Sequence, residues 1–355
     1  MDLKILELSD YSIYVGDIWA DFHRFIEEKK YQKFFILVDE NTEGLCFEPF
    51  SEHFLTEKTH IVRTKSGELN KNLDTCQLIW NQLFEHGADR KSSLIINLAG
   101  GVMGDMGGFC ASTFKRGFDF IQMPTTLLSQ VDSSIGGKLG IDYAHVKNSI
   151  GVFANPKAVF IFPEFLNTLP EREVRSGFAE IIKHALIADK KQWLALQKIT
   201  DLTTVDWTKY LIPSLKIKKK IVEIDPFEKG LRKALNFGHT IGHAIESVAL
   251  ETENPLTHGE AIAIGMICEA YLSKILRGMP DADLSDISNF ILKHYGKYDV
   301  QQFDFQHLIS IMKQDKKNES EAINFSLLAN AGEVVINCTA SEKEIKESLA
   351  FYSSL

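Results

Sequence analysis

No CxxC pair occurs in this sequence, and its five cysteines (Cys46, Cys76, Cys110, Cys268 and Cys338) are odd in number and scattered. Neither a disulfide framework nor a thiolate zinc site is therefore expected. Positive charge is not in excess. The net charge is -9 with His neutral, which argues against nucleic acid or an anionic membrane as the main partner. An acidic chain can still bind an anionic metabolite where its basic residues converge. No apolar run reaches the ~18 to 20 residues of a membrane span. The opening "MDLKILELSDYSIYVG" alternates apolar and polar residues like a strand and has no apolar signal core. A reducing cytoplasm is the expected compartment. Internal repeats and low-complexity tracts are also missing.

What is present has room for two domains in 355 residues. "FFILVD" (34–39), "SLIINLAGG" (93–101), "FDFIQMP" (118–124) and "KAVFIF" (157–162) are short apolar runs bounded by turn formers or charges. Such runs suit strands buried on both faces of a parallel sheet. "CQLIWNQLFEHG" between the first two has helical spacing and a terminal glycine. The pattern predicts an α/β domain, a doubly wound Rossmann-like parallel sheet, over 1–165. From "TLPEREVRSGFAEIIKHALI" onward the periodicity is helical. Thr168 before Pro170, with acids following, reads as a helix start. An all-α domain is expected over 166–355, with the boundary near 163–170.

Several constellations carry chemistry. "LIINLAGGVMGDMGGF" runs a strand into Gly100, Gly101, Gly104, Gly107 and Gly108. Glycines after a strand let backbone approach a phosphate, and the helix that follows offers free N–H groups. The spacing is not G-x-G-x-x-G, and a tight strand-to-helix turn explains it equally. "PTTLLSQVDSSIGGKLG" (124–140) and "HVKNSIG" gather hydroxyls with Asp132, Lys138, Lys147 and Asn148. After an apolar strand this density suits a ligand loop at the C-terminal edge of a sheet, against the plainer reading of a solvated loop. "GFAEIIKHAL" sets Glu180, Lys183 and His184 within one turn of a buried helix, where a carboxylate needs a cation. A Glu180–Lys183 ion pair would already satisfy it. "LNFGHTIGHAIE" holds His239 and His243 one turn apart, and "PLTHGEAIAIGM" adds His258. Imidazole and carboxylate suit Zn²⁺, and a catalytic site keeps three protein ligands and one open position. Spacing alone does not choose among these histidines, and Glu180 with His184 is a rival pair. In "KIKKKIVEIDPFEKGLRKAL" most lysines read as a solvated face, while Lys218, Arg232 and Lys233 could converge on an anion.

Taken in order, "GGVMGD", "KRGFDFIQMPTTLLSQVDSSIGGK", "TLPERE", "GFAEIIK", "GLRKALNFGHTIGHAIE", "HGEA" and "DKKN" resemble the 3-dehydroquinate synthase family of sugar-phosphate cyclases. The match is nearly collinear from about residue 34 to 330. The resemblance implies an NAD-dependent enzyme with Zn²⁺, or Co²⁺ as a substitute, held by Glu180, His239 and His258. It gives His243 to the substrate phosphate and makes His184 a bystander. NAD contacts are implied at Asp39, Asn41, Glu68, Lys71, Gly101, Gly104, Asp105, Thr125, Thr126, Lys138, Lys147 and Thr168. Substrate contacts are implied at Arg116, Asp132, Lys138, Asn148, Lys183, Lys218, Arg232, Asn236, His243 and Lys317. Arg116 is expected to act across a homodimer interface. The implied substrate is 3-deoxy-D-arabino-heptulosonate 7-phosphate. Other sugar-phosphate cyclases, a metal- and NAD-dependent polyol dehydrogenase, and a silent scaffold are the rival readings. Asn236 and the "DKK" lysine favour the 3-dehydroquinate synthase reading over these rivals.

Overall fold

The apolar runs form a seven-stranded sheet in a computed structural model that describes residues 1–144, 146–314 and 323–355. Its strands are β1 (Lys4–Glu7), β2 (Ser12–Val15), β3 (Lys33–Asp39), β4 (Thr59–Thr64), β5 (Ser93–Ala99), β6 (Phe120–Pro124) and β9 (Ala158–Ile161). They lie in the order β1-β2-β9-β6-β5-β3-β4. β1 pairs antiparallel with β2, and every other neighbouring pair is parallel. β7 (Lys138–Tyr143) and β8 (Val146–Phe153) make a separate antiparallel hairpin.

Alternate residues of the central strands enter different cores, which is why the runs read as continuously apolar. Phe34, Ile36 and Val38 of β3 pack with Leu94, Ile96 and Leu98 of β5 and with Trp19, Phe22 and Ile26 of α1 (Trp19–Lys29). Phe35 and Leu37 face the other way. They join Ile95 and the helices α4 (Leu73–Glu85) and α5 (Gly101–Thr113). Two short helices, α2 (Glu40–Leu45) and α3 (Phe47–His53), follow β3. Helices on both faces of a parallel sheet define the doubly wound architecture.

The chain divides into two compact units, Met1–Pro170 with Trp207–Leu211, and Glu171–Asp206 with Ile212–Leu355. The second is built from α6 (Glu171–Ala188), α7 (Lys190–Leu196), most of α8 (Thr208–Ile224), α9 (His239–Ala249), α10 (His258–Arg277), α11 (Asp281–Tyr295), α12 (Phe305–Gln314) and α13 (Glu342–Ser354). It is helical but not all-α, because β10 (Asn324–Asn330) and β11 (Glu333–Thr339) form an antiparallel hairpin. Leu327 and Leu328 are buried there, opposite the half-buried Val335 and Val334 of β11, so β10 is the more buried strand of the pair. Thr168 does not cap α6. It ends a 3₁₀ segment, Pro163–Thr168, with its hydroxyl on Phe165 O at 3.4 Å, and α6 starts after Pro170.

The contacts among α6, α9 and α10 are close enough to exclude side chains at two points. A Cβ on Gly259 would collide with the Ser176 backbone, and one on Gly265 with Gly238 O. Glycine at both sites lets the backbones touch, bringing the first turn of α10 to α6 and its middle to the start of α9.

Candidate functional site

The sheet reverses its winding between β3 and β5. The chain passes from β3 to β4 on one side and returns to β5 on the other. Ligands of open α/β sheets bind outside the carboxyl ends of the strands at such a point. Asp39 ends β3, Gly100 and Gly101 follow β5, and Thr125 and Thr126 follow β6. Asp39 caps α2, accepting from Asn41 N and Thr42 N at 2.9 Å each. Gly101 opens α5, and Gly104 and Asp105 lie in its first turns. Thr126 meets Ser129 Oγ at 2.9 Å, at the start of the short π-type turn Ser129–Ser133 that contains Asp132.

A charged network links residues from four stretches of the first unit. The buried Lys71 ammonium lies 2.8 Å from Asp105 Oδ2 and donates to Asn148 Oδ1 at 2.7 Å. Lys147 Nζ stands 3.8 Å from Glu68. Burial opposes the Lys71 charge, but Asp105 and Glu68 outweigh it and raise Lys71 above the ordinary lysine range. Asn148 has φ +50°, and its N–H donates to Asp142 Oδ1 at 2.7 Å. The expected nucleotide residues Lys71 and Asp105 thus meet an expected substrate residue, Asn148. The segment read as a ligand loop is that turn followed by the β7–β8 hairpin. Lys138 at its start and Arg116, in the left-handed region at φ +66°, are both exposed.

In the second unit, α6, α9 and α10 bring Glu180, His239 and His258 together. Glu180 Oε1 is 3.3 Å from His239 Nε2 and 3.4 Å from His258 Nε2. Glu180 is fully buried. His239 and His258 are each the first residue of their helices, α9 and α10. His239 Nδ1 is 3.1 Å from Phe237 O, which can only accept, so Nδ1 carries the proton. Burial and the Lys183 charge push His239 down to about 4, so the ring is neutral near pH 7. Its bare Nε2 lone pair therefore faces a carboxylate oxygen, two acceptors with no proton between them. Neither Glu180 oxygen accepts a well-aligned hydrogen bond among the described residues, although Lys183 makes ion-pair contact with Oε2. Such a confrontation in a buried site is repulsive unless a cation bridges it.

His258 Nδ1 stands 3.4 Å from Glu246 Oε2, leaving Nε2 aimed at Glu180. Burial opposes its charge, but Glu246 and Glu180 raise it to about 10, so a proton occupies Nε2 when no metal does. Burial alone would raise Glu180; Lys183 and His239 hold it well below the carboxylate range. Carboxylate and carbonyl partners on the remote nitrogens are what orient metal-ligating histidines. The donor set therefore fits a divalent ion such as Zn²⁺.

His243 lies beside both rings, its centroid 5.0 Å from His239 and 5.7 Å from His258, and is half-buried. One donor atom from each of the three histidines falls within 4.8 Å of the others, so His243 is a geometric rival to Glu180. His184 is buried, with Nδ1 2.6 Å from Ser214 Oγ, and it keeps a donor atom within 4.8 Å of a Glu180 oxygen. Lys218 and Arg232 are buried. Asp225 accepts from the backbone N–H groups of Lys229, Gly230 and Arg232 at 2.7 to 3.0 Å, which shapes the turn carrying Arg232. Lys233 leaves that group, reaching Asn337 Oδ1 at 3.2 Å. Lys317 lies outside the described residues.

Some participants were not singled out from the sequence. Glu246 is seven residues past His239, on the same face of a helix, which is a readable signal. Glu228, which accepts from Asn236 Nδ2 at 2.8 Å, gave none.

Comparison with known proteins gives the fold and the family. The fold is shared with 2-deoxy-scyllo-inosose synthase solved with carbaglucose-6-phosphate, NAD⁺ and Co²⁺ (24% identity, TM-score 0.85, 98% of this chain and 99% of that one). It is shared equally with 2-epi-5-epi-valiolone synthase from Streptomyces hygroscopicus, solved with NAD⁺ and Zn²⁺ (22% identity, TM-score 0.86, 100% and 99%). The fold is thus the one these two synthases share. The models of the 3-dehydroquinate synthase N-terminal and C-terminal regions match residues 61–176 and 177–318. A 3-dehydroquinate synthase of Parabacteroides distasonis is 42% identical over 95% of this chain and 96% of its own length. One from Nitratiruptor is 39% identical over 98% and 97%. The chain belongs to the 3-dehydroquinate synthase family, enzymes of the lyase and cyclase class.

Proposed function

We propose that this enzyme converts 3-deoxy-D-arabino-heptulosonate 7-phosphate into 3-dehydroquinate and phosphate, a step of the shikimate pathway toward chorismate and the aromatic amino acids. The order is oxidation at C5, loss of phosphate, re-reduction, ring opening and intramolecular aldol closure. One observation carries the metal-dependent reading: the buried Glu180 oxygen and the bare His239 nitrogen face each other at 3.3 Å, with His258 Nε2 at 3.4 Å.

When bound, NAD supplies a reversible two-electron acceptor for the C5 carbinol, and a divalent ion supplies a Lewis acid for its oxygen. Glu180, His239 and His258 hold the ion. Phe237 O and Glu246 fix the two imidazoles. Lys183, which pairs with Glu180, would offset its charge and present its ammonium to substrate. His243 and Lys138 bind the phosphate, and the departing phosphate takes the C6 proton, so the protein positions more than it transfers. Lys218, Arg232, Asn236 and Lys317, with Arg116, Asp132 and Asn148, hold the remaining polar groups by charge-assisted hydrogen bonds. Residues 1–165 form the NAD-binding domain, with Asp39, Asn41, Glu68, Lys71, Gly101, Gly104, Asp105, Thr125, Thr126, Lys138 and Lys147 around the cofactor, joined by Thr168 from just past its end. Residues 166–355 form the metal- and substrate-binding domain. The working form is a cytoplasmic homodimer, with Arg116 donated across the interface. No helix among the described residues is long and apolar enough to cross a membrane.

Phosphate release from the heptulosonate, with and without a chelator, is the test. Chelator-sensitive release without net NADH supports the reading. Net NADH accumulation from a polyol would replace it with a dehydrogenase.

A further inference from the structure

Helix α9 starts without a cap of its own. Its N-cap is Gly238, at φ +80°, which has no side chain to receive the N–H groups of the first turn. Those groups need acceptors, since a helix start leaves its first donors unpaired within the helix. The acceptor comes from α10. Glu269, fully buried, takes Gly238 N–H on Oε2 at 2.6 Å and Ile241 N–H on Oε1 at 3.1 Å. One carboxylate thus grips the backbone on both sides of His239. Gly265, one turn earlier on α10, makes this possible, because a side chain there would strike Gly238 O.

The grip has a directional consequence. His239 Nδ1–H donates to Phe237 O, so the ring takes its orientation from the backbone just ahead of Gly238. Glu269 holds the next peptide N–H and the one two residues past the histidine. Any rotation of that turn swings His239 Nε2 away from Glu180 Oε1. A carboxylate at a helix N-terminus is favoured by the helix dipole and by charge-assisted hydrogen bonding, which supports its burial here.

We infer that Glu269 is the positioning residue for His239, fixing the imidazole as a metal donor through the backbone without touching metal or substrate. The inference rests on the reading that Glu180, His239 and His258 hold the ion.

The test uses the full chain loaded with Co²⁺. Release of Co²⁺ to a chelator and the visible Co²⁺ spectrum are measured for wild type, Glu269→Gln, Glu269→Asp and a core control, Ile287→Ala. Glu269→Gln keeps the shape but presents only one acceptor oxygen to two N–H groups, and Glu269→Asp keeps the charge with a shorter reach. Outer-shell partners of metal ligands set affinity by about 10- to 100-fold, so Co²⁺ release should quicken by that order in Glu269→Gln. The Co²⁺ band should shift too, with Glu269→Asp intermediate. Ile287→Ala should lower the melting temperature yet leave release and spectrum alone. A Glu269→Gln or Glu269→Asp protein that loses stability like the control, but keeps the wild-type release rate and spectrum, overturns the inference alone. Wild type that takes up no Co²⁺ overturns the metal reading and this inference with it.

Discussion

The two histidine-bearing helices begin in different ways. α10 is capped by its own sequence: Thr257 Oγ1 accepts Glu260 N–H at 3.4 Å, and Glu260 Oε2 accepts Thr257 N–H at 2.8 Å. Arg172 braces Glu260 with contacts of 2.7 to 3.2 Å and reaches Pro255 O at 2.6 Å. α9 has no such local device and depends on Glu269, 31 residues away. Both helices present a histidine as their first residue, so each start sets the direction of one donor. The contrast separates a proposed donor placed by short-range sequence from one placed by tertiary packing. The first should tolerate a lost contact better than the second.

The largest effect should come from the donors themselves. His239→Ala or His258→Ala should abolish stoichiometric metal retention, measured as zinc per chain after gel filtration. His243→Ala should keep the metal and lose phosphate release. Loss of zinc in His243→Ala with retention in His239→Ala would reverse the assignment and remove the comparison's basis.

Next come the orienting partners. Glu246→Gln weakens the hold on His258 Nδ1, and metal affinity should fall about 10- to 100-fold by competition with a chelator. Capping on α10 should matter less. Thr257→Ala removes one half of a reciprocal cap, at a cost of about 1 kcal/mol in thermal or denaturant unfolding. With Arg172 and Glu260 still in place, metal affinity should fall by no more than about fivefold, the equivalent of that energy. A larger loss would show that α10 is as fragile as α9 and would erase the contrast.

The smallest effect belongs to α13, which starts with the same reciprocal cap between Ser341 and Glu344, on a helix that carries no proposed metal donor. Hydrogen bonds from the Ser341 N–H and hydroxyl hold Glu344 below the usual carboxylate range. Because the folded state favours the charged form, its contribution is present above the unfolded value of about 4.3 and is lost as pH falls through the lower folded value. Glu344→Gln should flatten a slight stability loss below about pH 4 without altering metal release.

The same contrast governs what could be read from the sequence. β3, β5, β6 and β9 were legible because both faces are buried, leaving unbroken apolar runs such as "FFILVD". β8 was not, since "VKNSIGVF" is mostly exposed and mixes polar residues that also suit a loop. β10 was visible only as a strand-like run, because its partner β11 buries little. In the site, His239 and His243 announced themselves by spacing, but choosing Glu180 and His258 over His184 came from family resemblance. Thr257 and Glu260 obey a rule that sequence can supply, a threonine followed three residues later by glutamate. Glu269 obeys none: in the sequence it is a lone acid in the apolar run "AIAIGMICEAYL". Its meaning appears only when Gly265 lets α10 touch the start of α9.

The most direct test is anomalous scattering at the zinc edge from crystals of the metal-loaded protein. The account predicts one peak about 2.0 to 2.2 Å from a Glu180 oxygen and from Nε2 of His239 and His258, with an open fourth position. A peak held by His243 in place of Glu180 would contradict it.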